Sequence, residues 1–185
     1  FVFPEAPIDL GGHGFAPAGS RAWWPIDMVG LEQAATEGTL DALRCAIPDG
    51  LDAARRLLAT TVDETLRRFD LAPARLVLGG FSQGAMLALD VALHSDVDLA
   101  GIVLMSGTLL SESEWRERLE SRKGLPVFQS HGRLDPLLSF DAAERLHEML
   151  DAGGLPVTFV PFRGAHEIPP PVLSGVETFL QTVLD

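Results

Sequence analysis

A serine between two glycines is the strongest chemical signal in this sequence. Gly80-Phe81-Ser82-Gln83-Gly84 matches the pattern G-x-S-x-G, in which the serine occupies a sharp turn between a strand and a helix. The flanking glycines lack Cβ atoms, so the strand and the helix can approach closely. The helix N-terminus offers unpaired N–H groups to a developing oxyanion. We therefore predict that Ser82 is a nucleophile and that the backbone N–H of Gln83 is an oxyanion donor. The alternative is a chance match.

Histidine is the expected base for this serine, because a hydroxyl is a weak nucleophile near neutral pH without one. The chain contains five histidines, and the base is expected to follow both the nucleophile and the acid. His166 fits that order, since it lies between the last apolar run and the last helix. We expect His147 on an exposed helix face, His94 at a helix C-terminus, and His131 as support for the loop of the acid.

Asp135 is the best candidate for the acid, because it directly follows a short apolar run and precedes a proline. A carboxylate there can accept the Nδ1–H of the histidine and hold its tautomer. The alternative is an aspartate that only shapes a turn. Asp98 precedes its apolar run and Asp141 suits a helix cap, so neither competes well. The sequence thus predicts a catalytic triad of Ser82, Asp135 and His166.

Helices and strands alternate along the chain from residue 48 onward. Apolar residues at three- and four-residue steps predict helices, and short apolar runs predict buried strands. The predicted helices are 48–69, 83–94, 112–121, 139–151 and 170–184, and the predicted strands are 75–81, 99–105, 126–130 and 157–162. This alternation favours an α/β fold with a parallel sheet covered on both faces. Ligands bind beyond the carboxyl ends of such strands, where all three predicted triad residues lie.

Composition excludes several functional classes. The 185 residues fit one domain, and the net charge of −12 disfavours nucleic acid, anionic membrane surfaces and anionic substrates. No apolar stretch is long enough for an integral membrane segment, and no secretion signal opens the chain. The single cysteine, Cys45, cannot form an intrachain disulfide or a cysteine-based zinc site. It is expected to be a small apolar residue in the protein interior. A chain without disulfides fits a reducing compartment such as the cytoplasm.

Several segments together resemble the phospholipase/carboxylesterase family, which includes the acyl-protein thioesterases. The segments are Gly79-Gly-Phe-Ser-Gln-Gly84, Ser130-His-Gly-Arg-Leu-Asp-Pro136, Gly164-Ala-His-Glu167, Phe3-Pro-Glu-Ala-Pro7 and Trp23-Trp-Pro-Ile-Asp27. The similarity covers nearly the whole chain. It implies the α/β-hydrolase fold, serine esterase or thioesterase activity, and no metal or organic cofactor. The family's triad falls on Ser82, Asp135 and His166.

One feature departs from the family. Its members usually carry an upstream strand ending in a His-Gly loop, which supplies the second oxyanion N–H. That strand would lie between a predicted Phe1-Val-Phe strand and the strand before Ser82, and its loss would expose unpaired edges. The resemblance therefore implies a single domain over residues 1–185 that lacks an upstream segment. His13-Gly14 is a weaker substitute because no adequate strand precedes it, and loop structure or a lip of the site is the favoured alternative.

The resemblance favours a broad carboxylesterase that acts on small-molecule esters. The acidic net charge makes neutral esters the expected substrates. The alternatives are thioesterase or lysophospholipase-like activity and a catalytically inactive binding module of the same fold. A homodimer is compatible with the sequence. Apolar residues on loops near the expected site are predicted to line an acyl pocket, with core packing as an equal alternative. They are Trp23, Trp24, Leu109, Leu110, Leu137, Leu138 and Ile168.

Overall fold

The computed structural model describes residues 1–11, 19–25, 30 and 47–185. Cys45 and His13-Gly14 lie outside the described residues. The helices of this part are α1 (Leu51–Phe69), α2 (Gln83–His94), α3 (Glu112–Arg118), α4 (Phe140–Ala152) and α5 (Pro170–Leu184). The strands are β1 (Ile8–Asp9), β2 (Arg21–Ala22), β3 (Val77–Phe81), β4 (Gly101–Met105), β5 (Val127–Gly132) and β6 (Val157–Phe162).

Strands β3 to β6 form a parallel sheet in the order β3-β4-β5-β6. Gly80 pairs with Leu104, Leu104 with Gln129, and Gln129 with Phe159. Because all four strands run the same way, their carboxyl ends meet at one edge of the sheet. The predicted parallel sheet is therefore confirmed. Strands β1 and β2 form a separate antiparallel pair.

The sequence pattern predicted several boundaries of the helices and strands. Helix α2 and strand β6 have the predicted limits, and α5 begins at Pro170. The Oγ of Ser139 accepts a hydrogen bond from the N–H of Ala142 at 3.3 Å, which confirms Ser139 as the N-cap of α4. Strand β5 runs to Gly132, two residues beyond the prediction, because its pairing with β6 continues to Phe162.

The buried face of α1 is narrower than its apolar pattern suggested. Leu51, Ala54, Leu58 and Val62 are buried, but Leu57 is exposed. Successive helical residues point about 100° apart, and α1 buries only one face, so Leu58 faces the core while Leu57 points towards solvent. Phe69, also predicted on the apolar face, is exposed at the last position of the helix.

The predicted strand at Phe1-Val-Phe is wrong in this structure. All three side chains are exposed, and the residues belong to no strand. A strand needs a hydrogen-bonded neighbour, and within the described residues this segment has none. Strand β3 pairs only with β4 in this part of the chain, so it lies at one of the two edges of the four-stranded sheet.

The core lies on both faces of the sheet. Alternate residues of β4 face opposite ways, with Ile102 and Leu104 in the larger cluster and Val103 in the smaller one. The larger cluster takes in the apolar faces of α1 to α4, whereas the smaller one lies under α5 and includes Phe128 and Phe179. None of the helices described is both long and apolar enough to cross a membrane.

A buried carboxylate ties α2 to its neighbours in the larger cluster. Asp90 is fully buried and accepts hydrogen bonds from the Nε of Arg55 at 2.5 Å and the Nε1 of Trp115 at 2.9 Å. His94 is the last residue of α2, and its Nε2 lies 2.8 Å from the Oε1 of Glu114. This network joins α1, α2 and α3, and it holds the helix that begins directly after the predicted nucleophile.

Candidate active site

Ser82 occupies the turn between β3 and α2 with a backbone that serine rarely adopts. Its φ is 56° and its ψ is −121°. Its N–H donates to the carbonyl of Met105 at 2.8 Å, and its carbonyl accepts from Ala85 at 3.0 Å and from Met86 at 3.2 Å. Such a conformation costs about 1–3 kcal/mol and persists only where the surroundings impose it. The turn therefore holds Ser82 at the carboxyl edge of the sheet.

The two glycines of the motif differ in what they allow. A Cβ on Gly80 would overlap the backbone of Gly84 and would lie 2.7 Å from the N of Ala85. A Cβ on Gly84 would meet the Nε1 of Trp23 at 3.9 Å, an ordinary van der Waals distance. The expected close approach of strand and helix thus depends on Gly80. For Gly84 that expectation is wrong, because a Cβ there would make only an ordinary contact with Trp23.

The carboxylate of Asp135 lies just beyond β5 and is completely buried. Its Oδ1 accepts from the backbone N–H groups of Leu137 and Leu138, both at 2.9 Å. Its Oδ2 accepts from the Nδ1 of His166 at 2.7 Å. Burial alone would raise the pKa of Asp135, but the hydrogen bonds from His166, Leu138 and Leu137 outweigh burial and hold the pKa below its usual range. The carboxylate is therefore ionised at neutral pH.

Backbone contacts join the loop of Asp135 to the loop of His166. The N–H of Arg133 donates to Phe162 at 2.8 Å, and the N–H of Leu134 donates to Gly164 at 2.9 Å. Gly132 permits this approach, since a Cβ there would overlap the carbonyl oxygen of Ala165. The acid and the histidine are thus brought together by the backbone around them.

The imidazole of His166 lies beside the predicted nucleophile's turn. Its ring centroid is 4.6 Å from that of Phe81, the residue directly before Ser82. The structure thus places Ser82, Asp135 and His166 at the same edge of the sheet.

His131 lies against the loop of Asp135, as the sequence suggested. It is buried, and its Nε2–H donates to the carbonyl of Leu138 at 2.9 Å. The same Nε2 is 3.4 Å from the Oδ2 of Asp135. Burial is the main cause that lowers the pKa of His131 below its usual value, although the contacts with Leu138 and Asp135 act in the opposite direction. His131 is therefore neutral when it supports this loop.

The position of His147 departs from its expectation. His147 is half-buried rather than on an exposed face, and its ring centroid lies 5.1 Å from that of Phe159. Helix α4 packs this side chain onto β6, which a periodicity argument on α4 alone did not predict.

Gln83 is the first residue of α2, so its backbone N–H has no partner within the helix. Its side chain makes two hydrogen bonds to a distant segment. The N–H of Trp23 donates to its Oε1 at 2.7 Å, and its Nε2 donates to the carbonyl of Trp24 at 3.0 Å. Sequence reasoning considered only the backbone of Gln83 and missed this second role, because the partners are about 60 residues away.

The predicted acyl-pocket residues fall into two groups. Trp24 and Leu109 are each only 5% exposed and belong to the larger core cluster, which favours the core-packing alternative for them. Trp23 is half-buried beside α2, and Leu137 is 51% exposed next to Asp135. Of the other three, Leu110 is buried, and Leu138 and Ile168 are partly buried against the two core clusters.

Comparison with known proteins agrees with this geometry. A family model described as Phospholipase/Carboxylesterase matches residues 1–184. The chain is 26% identical to Acyl-protein thioesterase 1 of Candida albicans over 194 residues, covering 100% of this chain and 78% of the relative. It is 29% identical to Acyl-protein thioesterase 1 of Eremothecium gossypii over 195 residues, covering 100% and 74%.

A solved structure extends the likeness to the fold. The crystal structure of esterase PE8 superposes with a TM-score of 0.78 at 24% identity, covering 98% of this chain and 77% of that one. The fold is therefore that of the α/β-hydrolases. The chain is a serine hydrolase of the carboxylic-ester type, and it belongs to the phospholipase/carboxylesterase family.

Proposed function

We propose that this protein is a carboxylesterase that hydrolyses small, neutral esters through an acyl-enzyme on Ser82. His166 is the general base, and Asp135 orients it. The observation that carries the proposal is the buried, ionised Asp135 carboxylate 2.7 Å from His166, at the edge where Ser82 is held in its strained turn. A serine on such a turn, a histidine and a buried carboxylate are the parts that acyl transfer needs.

The reaction proceeds in two matched halves. The Nε2 of His166 takes the proton of the Ser82 hydroxyl while the Oγ attacks the ester carbonyl. His166 then gives that proton to the leaving alcohol, and the acyl group stays on Ser82. Water repeats the sequence, since its proton goes to His166 and its oxygen attacks the acyl carbon. The carboxylic acid leaves and Ser82 regains its hydrogen.

Two features of the site favour the transition state. The unpaired N–H of Gln83 donates to the oxyanion that forms on the carbonyl oxygen, at the positive end of α2. The charge of Asp135 stabilises the imidazolium that forms on His166 and keeps the Nδ1–H pointing at the carboxylate.

Replacement of Ser82 tests the proposal. Ser82→Ala is expected to lower kcat on p-nitrophenyl butyrate by about 10⁴–10⁶. The exposed Ser174 of α5 supplies the matched control, and Ser174→Ala is expected to keep wild-type turnover. A fluorophosphonate probe should label the wild-type protein on the peptide that contains Ser82. Near-normal turnover by Ser82→Ala, with labelling elsewhere, contradicts the proposal.

Thioester hydrolysis is the second candidate, and the relatives named Acyl-protein thioesterase 1 support it. The same residues serve either substrate, because a thiol replaces the alcohol as leaving group. The ratio of kcat/KM on a long-chain acyl thioester to that on p-nitrophenyl butyrate separates the two. A ratio well above one favours the thioesterase.

The single cysteine of the chain supports a cytoplasmic site of action.

A further inference from the structure

The side-chain amide of Gln83 bridges the backbone of Trp23 and Trp24. Its Oε1 accepts from the N–H of Trp23 at 2.7 Å, and its Nε2 donates to the carbonyl of Trp24 at 3.0 Å. Both ends of the amide are thus used, and they hold a segment that directly follows β2. Each such bond contributes about 0.5–1.5 kcal/mol net.

The pairing fixes two tryptophans with different surroundings. Trp24 is anchored in the core, where its Cβ lies 3.4 Å from the position that a Cβ on Gly50 would take. Trp23 is half-buried, and its indole Nε1 lies 3.9 Å from the position of a Cβ on Gly84. Trp23 therefore lies over Gly84 in the first turn of α2, and Gly84 is two residues from Ser82 along the chain.

We propose that the Gln83 side chain is a positioning residue that holds Trp23 as a wall of the acyl site. Gln83 then acts twice, since its backbone N–H stabilises the oxyanion and its amide sets the place of the side chain that meets the acyl chain. This inference rests on the proposed function, because Trp23 meets an acyl chain only when Ser82 carries one.

Substitution of the side chain separates the two roles, because every residue except proline keeps the backbone N–H. Gln83→Met has a similar volume and removes both hydrogen bonds. Gln83→Glu keeps an acceptor for the N–H of Trp23 but places a carboxylate against the carbonyl of Trp24. If the amide acts as proposed, both variants loosen Trp23. In Gln83→Glu the cause is the loss of the one hydrogen bond to the carbonyl of Trp24.

The measured quantity is the ratio of kcat/KM on p-nitrophenyl octanoate to that on p-nitrophenyl acetate. Gln83→Met is expected to lower this ratio by about fivefold or more, because Trp23 loses the one or two hydrogen bonds that hold it in place. In a Trp23→Ala background the same substitution should no longer change the ratio, because Gln83 acts through Trp23. Gln181 is exposed on α5, and Gln181→Met should leave the ratio unchanged.

Hydrogen exchange provides a readout that does not depend on activity. The N–H of Trp23 is bonded to Gln83, so deuterium uptake of the peptide covering residues 19–25 should rise in Gln83→Met and stay unchanged in Gln181→Met. A merely structural role would lower the melting temperature without changing the octanoate-to-acetate ratio.

The outcomes distinguish this inference from the proposed function. The inference is overturned if Gln83→Met leaves the octanoate-to-acetate ratio unchanged. It is also overturned if Gln83→Met changes that ratio as much in the Trp23→Ala background as in the wild type. In either case, an inactive Ser82→Ala still supports the proposed function. If Ser82→Ala keeps its turnover, the proposed function fails and the inference falls with it. A ratio that falls only when Trp23 is present, with faster exchange at residues 19–25, supports both.

Discussion

The Nδ1–H of His166 donates to the Oδ2 of Asp135 at 2.7 Å across a separation of 31 residues. The two residues follow neighbouring parallel strands, so sheet topology already brings their loops to one edge. The hydrogen bonds of Leu137 and Leu138 then hold the carboxylate in place. Position along the chain and local backbone bonding thus act together to align one histidine.

Replacement of Asp135 tests whether this alignment matters to catalysis. In Asp135→Asn the amide keeps nearly the same shape, but it no longer stabilises the Nδ1–H tautomer or the imidazolium. We expect kcat on p-nitrophenyl butyrate to fall by about 10⁴. Asp151 is exposed near the end of α4 and provides the control, since Asp151→Asn should keep wild-type turnover. A loss smaller than tenfold in Asp135→Asn would contradict the assigned role.

The two motif glycines are expected to respond in opposite ways to alanine. Gly80→Ala places a Cβ against backbone atoms and should destabilise the protein by about 1–3 kcal/mol. Gly84→Ala places a Cβ at an ordinary contact distance from the Nε1 of Trp23, in the first turn of a helix, and should leave stability unchanged or raise it by up to about 1 kcal/mol. Urea denaturation of the two variants measures the difference. Equal losses would show that both glycines are needed for close packing.

The sequence predicted those parts of the site that depend on local patterns. The motif around Ser82 lies between a strand and a helix, as G-x-S-x-G requires, and Ser139 caps α4 as its position suggested. The order of strands and loops was enough to place Asp135 and His166 at the same edge. Each of these expectations needed only residues close together in the chain or the general topology of a parallel sheet.

The expectations that failed depend on what packs against a residue. Phe1-Val-Phe resembles a strand but has no neighbouring strand within the described residues, and His147 is half-buried against Phe159 of β6 rather than exposed. Asp90 was missed altogether, because its partners lie 35 and 25 residues away and nothing near it marks a buried charge. Periodicity gives the direction of a side chain but not the neighbour it meets.

The buried Asp90 is expected to contribute more to stability than the exposed Asp52, although both contact Arg55. Asp90→Ala leaves Arg55 and the indole N–H of Trp115 without their acceptor in the core, which should cost about 3–5 kcal/mol in the free energy of unfolding. Asp52 contacts the same arginine at 3.0 Å but is 69% exposed, so Asp52→Ala should cost less than about 1 kcal/mol. Urea denaturation at neutral pH compares them. Similar losses in the two variants would contradict this ranking.

The neutral, buried His131 predicts how stability changes with pH. Its pKa is lowered in the folded protein, mainly by burial, while the unfolded chain has the ordinary value of about 6.5. The contribution of His131 is therefore fully present above about pH 6.5, and it is lost as the pH falls towards the lower folded pKa, because the unfolded chain then binds the proton first. Two other titratable groups face His131. The charge of Asp135 raises its pKa and that of His166 lowers it. Asp135 stays ionised in this range because its own pKa is low.

His131→Gln isolates that contribution, because a glutamine Nε2 can still donate to the carbonyl of Leu138 but does not titrate. The variant should be less stable than the wild type at pH 7.5, since the amide fills the space of the ring imperfectly. The difference in the free energy of unfolding should shrink between pH 6.5 and pH 5, because only the wild type loses stability through this residue. Urea denaturation across that range measures it. If the difference in the free energy of unfolding stays constant or widens, then burial does not lower the pKa of His131 in the folded protein.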